Sequence, residues 1–377
     1  MTSKHMESSR RTFMKHIGKG VAAAALLPSM PFYNEASLAH AQLSRLGPLP
    51  EGAVKINANE NPLGPCPEAA EAIHKVVQKG GRYMYEETDE FARLMASLEG
   101  VKPEYVLPFA GSSDPLHRTV MAFTSKTKSL VMADPGYEAG ARAAQFIGAR
   151  VVKVPLCKDY AHDVKAMVKV DANAGLIYIC NPNNPTGTLT PRADIEYVLA
   201  NKPKDAILLL DEAYLHFSEA APGTDLAAAG KDIIVLRTFS KLYGMAGLRA
   251  GCAIGRPDLL EKLKPYGAGA LPVTGMAGAI ASLKVKTLVP ERRKINKGIR
   301  EDVFSFLDKN NFSFVPSESN CFMLDAQRPG KELVDALAKE KVFIGRVWPA
   351  WPTHVRVTIG TRDEMEKFKT ALLKTTT

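Results

Sequence analysis

Three apolar runs in this chain end in side chains that could work together. "LIYICNPNNPTG" runs out into a loop of Asn, Pro and Gly over 181–187, with Asn184 inside it. "LLLDEAY" closes in Asp211 and Tyr214, and "VLRTFSK" closes in Thr238 and Lys241. Three run ends thus deliver an amide, a carboxylate, a phenol, a hydroxyl and an amine. Singly, each has an ordinary explanation. An Asp at a strand end caps a helix or a turn, a lone Lys is solvated, and Asn-Pro pairs make turns. The combination is what carries information. A lysine amine attacks a carbonyl only when unprotonated, so covalent use of Lys241 requires a site that lowers its pKa. Lys241 also sits among small residues, Gly244, Ala246, Gly247, Ala250 and Gly251, with Arg249 eight residues on. Such a segment leaves room for something to lie against it.

The elements that must position these groups are short. "SLVMAD" (129–134), "RVVKVPL" (150–156), "GLIYICN" (175–181), "AILLLDEAY" (206–214) and "DIIVLRTFS" (232–240) are too brief for most helices and rich in Ile, Val and Leu. Their continuous apolar character predicts strands covered on both faces, as in a parallel sheet. Helix-length stretches, "YEAGARAAQFIGA" (137–149) and "PRADIEYVLANK" (191–202), lie between several of them. Strand alternating with helix predicts a mostly parallel α/β sheet, which places ligands at the C-terminal ends of its strands. "RAGCAIG" (249–255) follows a short Gly-rich turn and is the candidate antiparallel member. From about residue 290 a basic helical stretch (291–308) leads to "FSFVPSESNCFMLD", "ELVDALAKEKVFIG" and "HVRVTIGT". Strand, helix, strand reads as a smaller α+β unit. "AVKINANENPLGPCP" (53–67) is extended and Pro-rich, and is expected to lie across the body of the protein.

The chain has 377 residues, 46% hydrophobic and 24% charged, enough for two or three domains. Its net charge of +9 comes without any block of five like charges and without a nucleic-acid motif. The five cysteines are scattered, with no CxxC pair, so neither a metal site nor a disulfide framework is indicated. The N-terminus reads "SRRTFMK" (9–15), then "VAAAALL" (21–27), then "AHA" (39–41). Charged, apolar, small is the order of a secretory signal. The apolar part is far short of the roughly 20 residues that span a bilayer. The pattern resembles a twin-arginine translocation (Tat) signal, with Met14 where that consensus usually has leucine. Residues 1–41 are therefore expected to be a leader cleaved near Ala41–Gln42, with the mature protein periplasmic and at the membrane only during export. That route carries folded proteins, which suits an enzyme that acquires its cofactor first.

The segments "NPNNPTG", "DEAYLHF" and "RTFSKLYGMAGLRAG", with "NANENPLGP" near the start and "VRVTIGT" near the end, resemble the fold-type I pyridoxal-phosphate aminotransferases of class I/II. Within that group they look closest to the histidinol-phosphate aminotransferase branch, over roughly residues 50–375. The resemblance implies the α/β PLP-dependent transferase fold. A large, mostly parallel-sheet domain (75–275) would carry pyridoxal 5'-phosphate, and 42–74 with 276–377 would form the small α+β domain. The family's Schiff-base lysine maps onto Lys241. Asp211 matches the carboxylate that keeps the cofactor's ring nitrogen protonated. Tyr214 and Asn184 match the groups bonded to its 3-oxygen, and Tyr137 the aromatic that stacks on its ring. Ser112 and Ser113, opening a helix, offer amides to the phosphate. Thr238 and Arg249 match its hydroxyl and guanidinium ligands. A tyrosine from the neighbouring subunit of a homodimer usually completes this cup. Tyr83 is the better match and Tyr85 a close rival, with Met84 between them where the family often has proline.

Arg356, in "VRVTIGT", matches the arginine that clamps the substrate α-carboxylate, and would fix the α-carbon for proton removal. Lys241, once released, would move that proton. The resemblance implies transfer of an amino group from an L-amino acid to a 2-oxo acid. Oxidases, lyases and decarboxylases on the same scaffold, and a non-catalytic binding protein, stay open beside it. Arg346 is the candidate for the second arginine that helps hold substrate phosphate in histidinol-phosphate aminotransferases. Trp348 and Trp351, between Arg346 and Arg356, either line an aromatic substrate pocket or pack the small domain. Predicted export argues against histidine biosynthesis, which needs cytoplasmic partners.

Overall fold

The structure, a computed structural model, describes residues 35–44, 48–267 and 269–376. The paired arginines Arg10 and Arg11 and the apolar run 21–27 lie outside the described residues. Ala39–Ala41 falls inside a helix, Glu35–Leu43. Gln42 of that helix donates its side-chain amide to Ile344 O at 2.8 Å. Among the described residues no helix is long and apolar enough to cross a membrane.

The strands in chain order begin with β1 (Val54–Ile56), β2 (Val106–Phe109), β3 (Ser129–Asp134), β4 (Val151–Pro155) and β5 (Ala174–Cys180). β6 (Ile207–Asp211), β7 (Ile233–Thr238) and β8 (Gly251–Gly255) follow. β2 to β8 form one sheet in the order β2-β8-β7-β6-β5-β3-β4. β3 to β7 pair in parallel, and β8 runs antiparallel to both β7 and β2. The mostly parallel α/β sheet expected from the sequence is therefore present, with one further strand. "VLPF" was hidden by its length and by Pro108. A proline survives there because β2 is an edge strand whose outer side needs no amide donor.

Why the central strands read as unbroken apolar runs is visible in how they alternate. Ile177, Ile179, Leu208, Leu210, Ile233 and Val235 enter the core on one face. Leu176, Tyr178, Cys180, Leu209, Ile234 and Leu236 enter the core on the other. Both faces are covered by helices, so neither set can be polar. Each such side chain contributes roughly 1.5–3 kcal/mol of burial. The same alternation sorts the strand ends. Asp211 and Thr238 fall on the face of Tyr178 and Leu236, whereas Glu212 and Arg237 fall on the opposite one.

Beyond the large sheet, β9 (Phe314–Val315), β10 (Cys321–Asp325), β11 (Val342–Ile344), β12 (Val347–Trp348) and β13 (Trp351–Thr358) build the smaller unit. Four of them form an antiparallel sheet, β12-β13-β10-β9. β1 joins β11 in parallel, Val54 facing Val342, so the extended early segment is stitched to the C-terminal part of the chain. Val54 and Ile56 share a core with Val303, Leu307, Phe322, Leu337, Val357 and Phe368. By contrast, Cys66, Ala69, Met276, Ala279 and Ile280 pack into the large-sheet core. Helices Pro67–Val77 and Val273–Lys284 thus go with the large body, which extends past the division drawn from the sequence at 74/75 and 275/276. The loop leaving β1 carries Asn57, Ala58 and Asn59, all buried, toward the ends of β6 and β7.

Candidate active site

A cavity of about 220 Å³ opens where β5, β6 and β7 end. Asp211 lies at its floor, 3% exposed. Parallel pairing sets Cys180 opposite Asp211 and Asp211 opposite Leu236, so the three strand ends arrive level. Tyr178 donates its hydroxyl to Asp211 Oδ2 at 2.9 Å, and the Ala213 amide donates to Oδ1 at 3.2 Å. Burial pushes the Asp211 carboxyl up to about 6, while Tyr178, the Ala213 amide and the Lys241 cation pull it back. A buried carboxylate that costs this much to ionise calls for a cationic group against it.

Lys241 follows β7 and reaches into the same cavity. Its Nζ lies 3.4 Å from Ala58 O and 5.6 Å from the centre of the Tyr214 ring. Tyr214 is 3% exposed, and its oxygen accepts from Asn59 Nδ2 at 3.0 Å and from Asn184 Nδ2 at 3.3 Å. With two amides donating to it, the phenol is set to donate its own hydrogen. Asn184 uses its other end as well: Arg356 Nη1 donates to Asn184 Oδ1 at 2.9 Å. Arg356 Nη2 donates to Asn57 O at 2.9 Å. The arginine from β13 is thereby tied to both the early segment and the Asn-Pro loop. Tyr137 lines the same cavity and is 8% exposed.

The same cavity also collects donors. Ser112 caps and Ser113 opens the helix Ser113–Phe123, so unused amides and the positive end of the helix dipole point there. Thr238 Oγ1 donates to Ser240 Oγ at 2.9 Å, and Arg249 Nη1 lies 3.2 Å from the same Ser240 oxygen. Arg249 also donates to Ala246 O and Ala110 O. No carboxylate among the described residues pairs with it, and burial disfavours its charge. Its backbone is left-handed, φ 60°, a strain of roughly 1–3 kcal/mol typical of functional positions. Gly111 makes room: a Cβ there would lie 2.3 Å from Arg249 Nη2. This donor set fits a phosphate and the acidic floor fits a protonated heterocycle, and both line one cavity.

Several participants were not singled out from the sequence. Tyr178 looked like one more core residue, although it stands on the same strand face as Asp211. Asn57 and Asn59 sat unremarked in a Pro-rich segment. Other expected residues stand apart. Tyr83 and Tyr85 lie on the surface, 74% and 59% exposed, with ring centres 6.0 Å apart. Arg346 forms a bidentate ion pair with Glu138, at 2.9 and 2.7 Å. Trp348 is buried against Val315 and Met323, and Trp351 meets Tyr160 edge to face at 5.6 Å. His216 lines a separate cavity with Tyr243, Glu99 and Arg237, and burial holds it down at about 3. There Arg237 is clamped between Glu99 and Glu212, which braces the strand ends behind Asp211 and Thr238.

Comparison with known proteins adds the following. A model of the family described as aminotransferase class I and II matches residues 51–372. The histidinol-phosphate aminotransferase of Moorella thermoacetica is 32% identical over 330 residues, covering 85% of this chain and 84% of that protein. Histidinol-phosphate aminotransferase 2 of Haemophilus influenzae is also 32% identical over 330 residues, covering 85% and 89%. Among solved structures, histidinol-phosphate aminotransferase from Sinorhizobium meliloti in complex with pyridoxal-5'-phosphate superposes with a TM-score of 0.82. It is 25% identical and covers 93% of this chain and 96% of that one.

Proposed function

Because this chain belongs to the class I and II aminotransferases, and is thus a pyridoxal-phosphate-dependent transaminase, we propose that it moves the amino group of an L-amino acid to a 2-oxo acid, with Lys241 as the covalent anchor of the cofactor. The observation that carries this reading is the convergence of Lys241, Asp211, Tyr214, Asn184, Thr238 and Arg249 on one cavity. Pyridoxal phosphate supplies, when bound, an electron sink for the pair left behind when the substrate Cα–H bond breaks. This chain supplies everything else. Asp211 holds a positive charge at the cavity floor, and Tyr178 and the Ala213 amide fix the carboxylate that does so. Ser112, Ser113, Thr238, Ser240 and Arg249 line the same cavity and would hold the cofactor's phosphate, which leaves the amine of Lys241 to reach carbon. Arg356 grips the α-carboxylate and, through Asn184, shares the network of Tyr214. Lys241 Nζ then carries the proton to and from the substrate α-carbon.

The twin-arginine leader, periplasmic location and homodimer belong to the same proposal. The sequence order of Arg10, Arg11, the apolar run and Ala39–Ala41 supports export. Two large exposed tyrosines, Tyr83 and Tyr85, on one surface segment support a partner subunit whose cofactor one of them completes. A panel of L-amino acids, with and without 2-oxoglutarate and under oxygen, tests the reaction. Keto acid that forms only with an acceptor supports transamination, and acceptor-independent keto acid overturns it. Export that persists after Arg10→Lys with Arg11→Lys overturns the leader. A monomer with full cofactor occupancy overturns the shared cup.

A further inference from the structure

Asn59, in the early segment, is fully buried on a left-handed backbone at φ 53°. Asparagine is one of the few side-chain-bearing residues that take this conformation readily. Each of its four polar groups is used. Its backbone N–H donates to Thr358 Oγ1 at 3.0 Å, and its Oδ1 accepts from the same hydroxyl at 3.0 Å. Its carbonyl accepts from Asn320 Nδ2 at 3.2 Å. Its Nδ2 donates to the Tyr214 oxygen at 3.0 Å and to Cys321 Sγ at 3.2 Å. Cys321 and Thr358 stand opposite one another in the pairing of β10 with β13. Thr358 lies two residues beyond Arg356 on β13, hence on the same strand face.

Thr358 decides which end of the Asn59 amide meets Tyr214. Its oxygen already accepts from the Asn59 N–H, and its single hydrogen goes to Asn59 Oδ1. Turning the amide over would leave that hydrogen without its acceptor. The NH2 end therefore faces Tyr214, and it can only donate. A donor on the phenol oxygen polarises the phenol's own O–H and makes it a stronger donor in turn. Tyr214 is the group that bonds the cofactor's 3-oxygen in the reading above. Stronger donation there favours negative charge on that oxygen, most of all when the nearby nitrogen of Lys241 carries no proton. We propose that Asn59 is a positioning residue for the reaction: by donating to Tyr214 it lowers the pH at which the nitrogen joining Lys241 to the cofactor gives up its proton. The proposal rests on the roles given above to Tyr214 and Lys241. Glu60, Tyr137, Cys180, Asp211 and Arg249 also line the cavity, Arg356 meets it through Asn184, and Cys321 shares the Asn59 amide. All of them stay in place in the variants below and so cancel in the comparison.

The test follows the visible absorbance of the substrate-free holoenzyme from about pH 5 to about pH 10, which reports the proton on that nitrogen. Asn59→Gly removes the side chain without straining the backbone. Its midpoint is expected to rise by ~0.5 or more, a ~3-fold change in proton affinity. Asn59→Asp keeps the shape and the acceptor for Thr358 but offers Tyr214 no N–H, and its midpoint should rise at least as far. Tyr214→Phe should raise the midpoint by itself, and adding Asn59→Gly to it should change nothing further. Thermal unfolding of the cofactor-free variants reads the structural part separately. A variant that loses stability while its midpoint stays in place overturns the proposal. So does a midpoint restored by Asn59→Asp, or a further rise when Asn59→Gly is added to Tyr214→Phe. If Tyr214→Phe itself leaves the midpoint unmoved, the reading of Tyr214 fails and the proposal falls with it.

Discussion

Replacing Asp211 by asparagine should stabilise the cofactor-free protein while weakening its hold on the cofactor. The carboxyl stands 3% exposed at the cavity floor, and burial raises it from 3.8 to about 6. That is about 2 pKa units, or ~3 kcal/mol against the ionised form at pH 7. Asparagine removes the charge but satisfies only one of the two present donors, Tyr178 and the Ala213 amide, as an acceptor. Allowing about 1 kcal/mol for that leaves a net gain of ~2 kcal/mol. The sign follows from the raised pKa. Between 3.8 and about 6 the folded protein binds the proton and the unfolded chain does not, so the Asp211 contribution to stability falls as pH rises through that window. Above it the penalty is complete. Below 3.8 both states are protonated and it vanishes. Thermal unfolding of the cofactor-free wild type and Asp211→Asn, from pH 4 to pH 8, reads this directly. The variant should melt roughly 2–4 °C higher at pH 7, with the gap closing toward pH 4. A wild type that melts higher at pH 7, or a gap independent of pH, would show that Asp211 carries no burial penalty.

Other consequences follow from the same geometry. Arg249→Lys loses the two-point grip at the phosphate end and should weaken cofactor binding by ~1.5–3 kcal/mol, measured by absorbance titration. Gly111→Ala places a Cβ 2.3 Å from Arg249 Nη2 on a backbone at φ +90°, and should weaken the same binding with Arg249 still present. Arg237→Met leaves Glu99 and Glu212 buried without their cation and should cost ~3–5 kcal/mol in urea unfolding. Arg356→Lys should raise KM for the amino acid more than it lowers kcat, since one ammonium replaces a planar fork.

The sheet was legible because both faces of β5, β6 and β7 are covered, which forces unbroken apolar runs into the sequence. β2 was not, since four residues containing Pro108 look like a loop until an edge strand is known to be needed. Among the candidate site residues, those at strand ends could be found one by one, because polar residues that close apolar runs are conspicuous. Asn57, Asn59 and Tyr178 could not. Their parts depend on β1 pairing with β11, and on Tyr178 sharing a strand face with Asp211. Register counting from Asp211 back across β5 is the signal that would have found Tyr178.

The central claim is that Lys241 anchors the cofactor. Borohydride reduction of the holoprotein, followed by digestion and mass spectrometry, tests it most directly. The pyridoxyl phosphate mass is expected on the peptide containing Lys241 alone, and is expected to be lost when an amino-acid donor is added before reduction. The mass on another lysine, or no modified peptide from protein that carries the cofactor, would contradict it.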